Sequence, residues 1–427
     1  MTGRETVGSF GRRRKRAEAA AVLDIGTDKI SCFIADLDSI DAFGRVSPHV
    51  IGVGCQSSRG VRQGRIVDLE AAEAAIRAAV DAAERMAGVT VREAVVAVGG
   101  AHLISRTLGV DMSIAGYGVT DEDVRRLLSH GAAACAPEGT ELVHALPMSF
   151  GIDGVRGVRD PRGLFGDTLS VAMLGVSAAP GYLQSLIACV ERCHLTVCDI
   201  VAGPYAAALA VLVEDEMELG AVVLDLGADA AGVAVFDEGA LVHVDAVALG
   251  GRSVTSDIAQ GLSTTLAHAE RLKTLHGSAL SGPSDHRQFV DLIPVGERGR
   301  HQATRAQLSD IIAARLEETF ELVRDRLEAS GPGFGSHRFV LTGGASQMTG
   351  AREIAEQVFR RPVRLGRPVA AEGLAEAASG PAFAVCAGLV QYAAQEDGDA
   401  AKVGKPRRSA GAHGPIGAIG DWLRERF

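Results

Sequence analysis

Two short apolar runs in this chain break in the same way. Val22-Leu23-Asp24-Ile25-Gly26-Thr27-Asp28 recurs 201 residues later as Val223-Leu224-Asp225-Leu226-Gly227-Ala228-Asp229, and each is followed by a second apolar stretch, SCFIAD or GVAVFD. A β-branched run, an acidic residue, a glycine and another apolar run predict a strand, a tight turn and an antiparallel strand. The spacing is too long for a solenoid repeat and points to one structural unit used twice. Between the copies the period lengthens. Residues 69–87 (LEAAEAAIRAAVDAAERMA) read as an amphipathic helix, VREAVVAVGG as a strand ending in glycines, and residues 121–134 as a helix with acidic residues in its first turn. Residues 138–180 read as short strands with turn signals, and GYLQSLIACVERC and GPYAAALAVLVEDE as apolar helices. After the second copy, GALVHVDAVALGG predicts a strand and a turn, and SVTSDIAQGLSTTLAHAERLKTLHG a helix. ATRAQLSDIIAARLEETFELVRDRLEAS predicts a long charged helix, RFVLTGGASQM a strand with a Gly-Gly turn, and AFAVCAGLVQYAAQ a final helix.

These elements assign an α/β chain of two related halves. Residues 21–90 and 176–213 make the first half, 91–175 an inserted α+β subdomain, and 214–395 the second half. Residues 1–20 are expected to be a basic disordered arm, and 396–414 (EDGDAAKVGKPRRSAGAHG), with almost no apolar content, a flexible linker.

Composition narrows the class. At 427 residues, 47% hydrophobic and 22% charged, the chain is a globular protein with room for more than one core. No run of about 18 uncharged apolar residues occurs, and the first 20 residues lack a signal peptide's apolar middle, so neither a transmembrane span nor secretion is expected. The seven cysteines contain no CxxC pair, which fits a reducing compartment and not a disulfide framework. Cys189, Cys193 and Cys198, with His194, could be soft metal ligands but lie on an apolar run and are expected to be buried thiols. The net charge of -10 is uneven: residues 1–20 and 401–427 each hold six basic and two acidic residues, leaving -18 on residues 21–400. An acidic body argues against a nucleic-acid partner, whereas basic tails suit anionic lipid. Arg12-Arg13-Arg14-Lys15-Arg16 is either a solvated arm or a second lipid contact.

The end of the chain carries its own pattern. From Pro415, a helical step places Ile416, Ile419, Trp422, Leu423 and Phe427 within an arc about 140° wide. Such a helix is about 20 Å long, too short for a hydrocarbon core of about 30 Å. It would lie in a membrane interface, with the chain's only Trp at headgroup depth, or dock on the protein itself. The linker and the basic residues before it favour the membrane.

Two Asp-x-Gly turns from related halves could face each other across a cleft. A polyphosphate there would receive backbone N–H groups from both, while Asp24 and Asp225 hold a magnesium ion through water. Gly26, Thr27, Lys29 and Gly227 would complete the phosphate loops. Gly343-Gly344 and Gly250-Gly251 would let the backbone approach a base or ribose. Glu270 and Lys273, three apart on a predicted helix, could grip the nucleoside or form a solvated pair.

The ordered set DIGTDK, DLGADA and LTGGAS, with the connecting segments GPYAAALAVL and GPAFAVCAGLVQY, resembles the actin, sugar kinase and DnaK-type chaperone superfamily. Within it, ELVHALPMSFGIDG, VRDPRGLFGDTLSV, GGRSVTSDIAQGLSTTLAHAERLK and the closing GDWLRERF resemble the FtsA family of bacterial cell-division proteins, from about Ala21 to Ala394. The resemblance implies an actin-like duplicated ATPase fold with an inserted subdomain, binding ATP and Mg. It also implies a filament-forming adaptor whose C-terminal amphipathic helix tethers the FtsZ ring to anionic lipid at the cytoplasmic face of the plasma membrane, at the division site. Other division proteins would then be recruited. An ATP-dependent phosphotransferase of sugar-kinase type and an actin-like pilus-assembly protein are the alternatives. One departure stands out: the superfamily's second loop usually reads DxGGGT, whereas here it is Asp225-Leu226-Gly227-Ala228-Asp229-Ala230. Ala228 adds a Cβ and Asp229 a negative charge toward a polyphosphate, and no general base is evident, so ATP binding with weak or absent hydrolysis is expected.

Overall fold

A computed structural model describes residues 19–37, 48–296, 301–331, 337–369 and 376–394. The first half contains β1 (Ala20–Ile25), β2 (Lys29–Asp36), β3 (His49–Ser57), a small hairpin of β4 (Val61–Arg62) and β5 (Arg65–Ile66), α1 (Leu69–Ala87) and β6 (Glu93–Val98). An insertion follows, with β7 (Leu103–Ser113), α2 (Asp121–Cys135), β8 (Glu141–Ile152), β9 (Val155–Val158) and β10 (Thr168–Ala178). The first half then closes with α3 (Pro180–Glu191), β11 (Thr196–Ala202) and α4 (Gly203–Val211).

The second half runs through α5 (Glu214–Leu219), β12 (Ala221–Leu226), β13 (Ala231–Asp237), β14 (Ala240–Val247), α6 (Gly251–Gly261) and α7 (Leu266–His276). A hairpin of β15 (Phe289–Leu292) and β16 (His301–Thr304) precedes α8 (Arg305–Ser330), β17 (Arg338–Thr342), α9 (Ala351–Phe359), β18 (Val363–Leu365) and α10 (Ala384–Ala394). The basic arm to residue 18, the linker 396–414 and the C-terminal helix 415–427 with Ile416, Ile419, Trp422, Leu423 and Phe427 lie outside the described residues. Among the described residues, no helix is long and apolar enough to cross a membrane.

The sequence echo corresponds to repeated topology. One sheet has the order β3-β2-β1-β6-β11 and the other β14-β13-β12-β17-β18. In each, the strand ending at the acidic turn pairs antiparallel with its successor and parallel with the strand on its other side. Ile25 pairs with Ile30 and Leu226 with Ala231, so both hairpins turn in equal length. The core follows from the patterning: Val22, Leu23, Phe33, Val222, Leu224 and Val235 are each no more than 1% exposed. Each such side chain contributes about 1.5–3 kcal/mol by leaving water.

Several elements differ from the sequence expectation. β6 lies inside the first half's sheet, beside β1, so the inserted fold begins after it and not at residue 91. Its apolar positions are buried there as a parallel strand requires. The strands of residues 138–180 are long, because β8 and β10 pair along most of their length. The single helix expected over SVTSDIAQGLSTTLAHAERLKTLHG is two: Ser263 takes a left-handed φ of 50°, and Thr265 caps α7 by accepting from His268 N. GPYAAALAVLVEDE likewise splits into α4 and α5 at the extended Leu212.

Cys189 is buried, as expected, and burial pushes its thiol up to about 11. Cys198, expected to be buried, is exposed because β11 shifts register between Val197 and Asp199, an irregularity that turns one residue off an edge strand. Among the described residues, no three His, Cys, Asp or Glu side chains form a metal-ligand group.

Helices α4 and α10 join the halves. They cross at Gly388, where a Cβ would stand 1.6 Å from the Ala206 carbonyl oxygen. The insertion docks on both halves. His144 on β8 is fully buried and accepts from Ala202 N at 3.0 Å, His243 on β14 lies 3.3 Å from the Ser105 hydroxyl, and Arg159 pairs with Glu218.

Candidate functional site

The two acidic turns meet between the halves. Gly26 N donates to Lys29 O at 3.1 Å, and Gly227 N donates to Ala230 O at 2.9 Å, which gives the two loops the same closing bond. Asp24 and Asp225 precede these turns on β1 and β12. Burial raises the Asp24 carboxyl above its ordinary value, opposed by Lys29. Asp225 is raised to about 7, first by burial and then by the charge of Asp24, again opposed by Lys29. Two carboxylates that resist ionising together form a natural seat for a divalent cation. Among the described residues no third His, Cys, Asp or Glu joins them, and a magnesium ion held there through water would neutralise the pair.

The other residues expected in the phosphate loops take different positions. Thr27 is buried, its hydroxyl accepting from Gly64 N at 3.3 Å. Lys29 starts β2, donates to the Ala382 carbonyl and lies 3.5 Å from the centre of the Phe383 ring. It therefore ties the first loop to the segment leading into α10, within electrostatic reach of both aspartates.

The expected nucleoside residues form one cluster beside the second loop. Gly251 N donates to Gly227 O at 3.0 Å, and the next amide, Arg252 N, donates to Ala228 O at 2.7 Å, which seats the start of α6 on that loop. A Cβ at Gly250 would stand 2.6 Å from Ala228 O. Lys273 Nζ donates to Gly251 O at 2.9 Å, the Thr255 hydroxyl at 2.8 Å and Glu270 Oε2 at 2.7 Å. For Glu270, burial alone would raise the carboxyl, but bonds from Lys273 and Thr255 outweigh it and hold it below the usual range. The pair is thus fixed in a network, with the Lys273 side chain mostly buried at 14% exposure and that of Glu270 half exposed at 52%.

Gly343 ends β17 with a φ of 88°, and a Cβ there would lie 2.4 Å from Asp225 Oδ1, so only glycine lets this turn approach the carboxylate. Gly343 N donates to Pro381 O at 3.2 Å, and Gly344 opens the helical turn that follows. A Cβ at Gly251 would come within 3.0 Å of Ala345 Cβ, which brings both glycine pairs to one place.

Three participants were not singled out in the sequence: Gln63, Thr255 and Arg252. Gln63 precedes a glycine in a polar turn, and Arg252 directly follows the Gly250-Gly251 pair. Those contexts are the only local signals for these two, because Gln63 N donates to Asp229 and Arg252 N to Ala228, both distant in sequence.

Comparison with known proteins bears on the family and the fold. The family described as "Cell division protein FtsA" matches residues 222–388, and "SHS2 domain inserted in FTSA" matches residues 100–177. "Cell division protein FtsA" of Rhizobium meliloti is 44% identical over 424 residues, covering 97% of this chain and 96% of that protein. The protein of the same name from Escherichia coli is 30% identical over 417 residues, covering 95% and 97%. Among solved structures, a PilM-PilN type IV pilus biogenesis complex superimposes with a TM-score of 0.63 at 17% identity, covering 89% of this chain and 99% of that one. MreB 5 of Spiroplasma citri bound to AMPPNP does so with a TM-score of 0.53 at 13% identity, covering 88% and 96%. These likenesses establish an actin-like fold with an SHS2 insertion. The chain belongs to the FtsA family of cell-division proteins.

Proposed function

We propose that this chain is a nucleotide-binding, filament-forming adaptor that links FtsZ polymers to the cytoplasmic face of the membrane at the division site and recruits later division proteins. The observation that carries the nucleotide part is the meeting of Asp24 and Asp225 beside the Gly343 turn. The charge of Asp24 helps to raise the proton affinity of Asp225 there, and the Gly343 turn packs directly against the Asp225 carboxylate. Gly26, Thr27 and Gly227 would hold phosphate, Gly250, Gly251, Glu270, Lys273, Gly343 and Gly344 the adenosine, and Asp24 and Asp225 a hydrated magnesium ion. A protein of this fold, MreB 5, is described in complex with AMPPNP, which supports the reading. Turnover would be slow, since Asp24 and Asp225 are committed to the cation and the altered second loop lacks the hydroxyl that usually closes it.

Attachment would come from Ile416, Ile419, Trp422, Leu423 and Phe427 lying in the interface, with basic residues 402–408 drawing the acidic body toward anionic lipid. A short helix with a few apolar anchors binds reversibly, which suits an adaptor.

The test is reconstitution. The full chain with Mg-ATP is added to vesicles containing anionic lipid, followed by fluorescent FtsZ polymerised with GTP. FtsZ is expected on the vesicles only when the chain is present. Polymers that stay in solution while the chain itself is bound would overturn the adaptor role.

A further inference from the structure

The second phosphate loop carries a carboxylate where its superfamily places glycine, and that carboxylate is not idle. Asp229 Oδ2 accepts from Gln63 N at 2.8 Å, across the cleft, on the β4–β5 turn of the first half. Gln63 takes a left-handed φ of 49°, which aims its N–H and that of Gly64 at two different loops. Gly64 N reaches Thr27 of its own half and Gln63 N reaches Asp229 of the other. Arg252 completes the set: its Nη2 donates to the Thr27 carbonyl at 3.3 Å, and its Nε stands 3.7 Å from Asp229 Oδ1. Thr27 and Gln63 of one half therefore hold Arg252 and Asp229 of the other. Asp229 is mostly buried in this arrangement, with 12% of its side chain exposed, against 48% for Arg252.

A backbone N–H on one oxygen of a carboxylate and a guanidinium 3.7 Å from the other, between two phosphate loops, are the kinds of donor a phosphoryl group would use. A short side chain rooted in a tight turn supplies those oxygens with little loss of rotamer freedom. We propose that Asp229 is a resident anion which, with Arg252, clasps the two halves across the cleft, so that an incoming nucleotide phosphate displaces this carboxylate instead of causing closure. The displacement half rests on the nucleotide-binding reading above; the clasp itself does not. Closure of the halves should then be largely independent of nucleotide. The carboxylate should also lower nucleotide affinity, by competing for the same donors and by repelling phosphate.

Hydrogen exchange on the full chain without nucleotide reads the clasp directly, in peptides covering residues 58–66. Wild type should protect the Gln63 amide. Asp229→Gly, and Asp229→Ala as a second variant, should expose it about tenfold or more, the loss of one charge-assisted bond, with cooperative melting retained as proof of folding. Equal exchange in wild type and in both folded variants overturns the clasp. Equilibrium dialysis with Mg-ATP reads the displacement. Asp229→Gly should bind about tenfold tighter than wild type, whereas Arg252→Gln, which keeps the carboxylate, should loosen exchange at Gln63 without tightening binding. Unchanged affinity in Asp229→Gly, with binding measurable, overturns the displacement. If neither wild type nor variant retains Mg-ATP, the nucleotide reading fails and the displacement with it, while the exchange data still decide the clasp.

Discussion

Asp24 and Asp225, 201 residues apart in the chain, lie close enough for the charge on one to help lift the other's pKa to about 7. Each belongs to its own sheet and its own hairpin. Their proximity is made by the packing of two halves and by no local contact.

That proximity has a signature in pH. The unfolded Asp225 loses its proton near its ordinary value of 3.8, the folded one near 7, so the folded state holds the extra proton between these limits. Raising the pH from about 4 to about 7 therefore lowers stability through this group, and above about 7 its contribution is constant. Asp24 is shifted in the same direction and adds to the same slope. Urea unfolding in a chelating buffer at several pH values should show Asp225→Asn gaining on wild type as pH rises from 5 toward 7.5. Parallel pH profiles would contradict the assignment.

Gly343→Ala should be strongly destabilising. Its Cβ would fall 2.4 Å from Asp225 Oδ1 and 2.6 Å from Leu226 O, in a backbone conformation that L side chains rarely adopt. A loss of about 2–4 kcal/mol is expected from strain and overpacking together. A denaturant midpoint within error of wild type would mean that the turn adjusts and does not need glycine.

The α4–α10 crossing predicts a second intolerant glycine, at the helix contact and not in either acidic turn. Gly388→Ala places a methyl on the Ala206 backbone in the core shared by both halves, and about 1–3 kcal/mol should be lost. Thermal melting followed by circular dichroism measures it, and an unchanged midpoint would show that the helices can separate freely.

Lys273→Met separates the nucleoside site from the phosphate loops. The lysine holds Gly251, Thr255 and Glu270 together, so its loss should weaken ATP binding about tenfold, or about 1.4 kcal/mol. Tripolyphosphate binding should be unaffected. If both ligands weaken equally, Lys273 does not act on the nucleoside side.

Removal of residues 415–427 should release the chain from vesicles rich in anionic lipid, as measured by co-sedimentation, and mutation of Trp422 and Phe427 to Ala should do most of the same. Undiminished binding of the truncated chain would move the lipid contact to the basic arm.

Much of the architecture is legible without coordinates because it rests on local rules. Period-two apolar runs meeting Asp-x-Gly give the two hairpins, and the 201-residue echo announces the duplicated topology. The Gly343 turn and the Glu270–Lys273 spacing can be read from residues a few positions apart. The limits of the insertion are less visible, since β6 is as apolar as any strand and only its pairing beside β1 assigns it to the first half. Cys198 is similar: its apolar neighbours predict burial, while a register shift on an edge strand exposes it.

Sequence alone thus determined most of the elements, the two acidic turns and the glycine pairs, because hairpins and helices are chosen by residues within a few positions of one another. Only the tertiary structure decided what each charged side chain does. Lys29 turns to Ala382 and Phe383, and Asp229, which reads as a repulsive blemish in a phosphate loop, becomes a bridge from Gln63 to Arg252. A charge's role depends on what lies within a few ångströms of it, and in a duplicated fold those neighbours come from the opposite half of the chain.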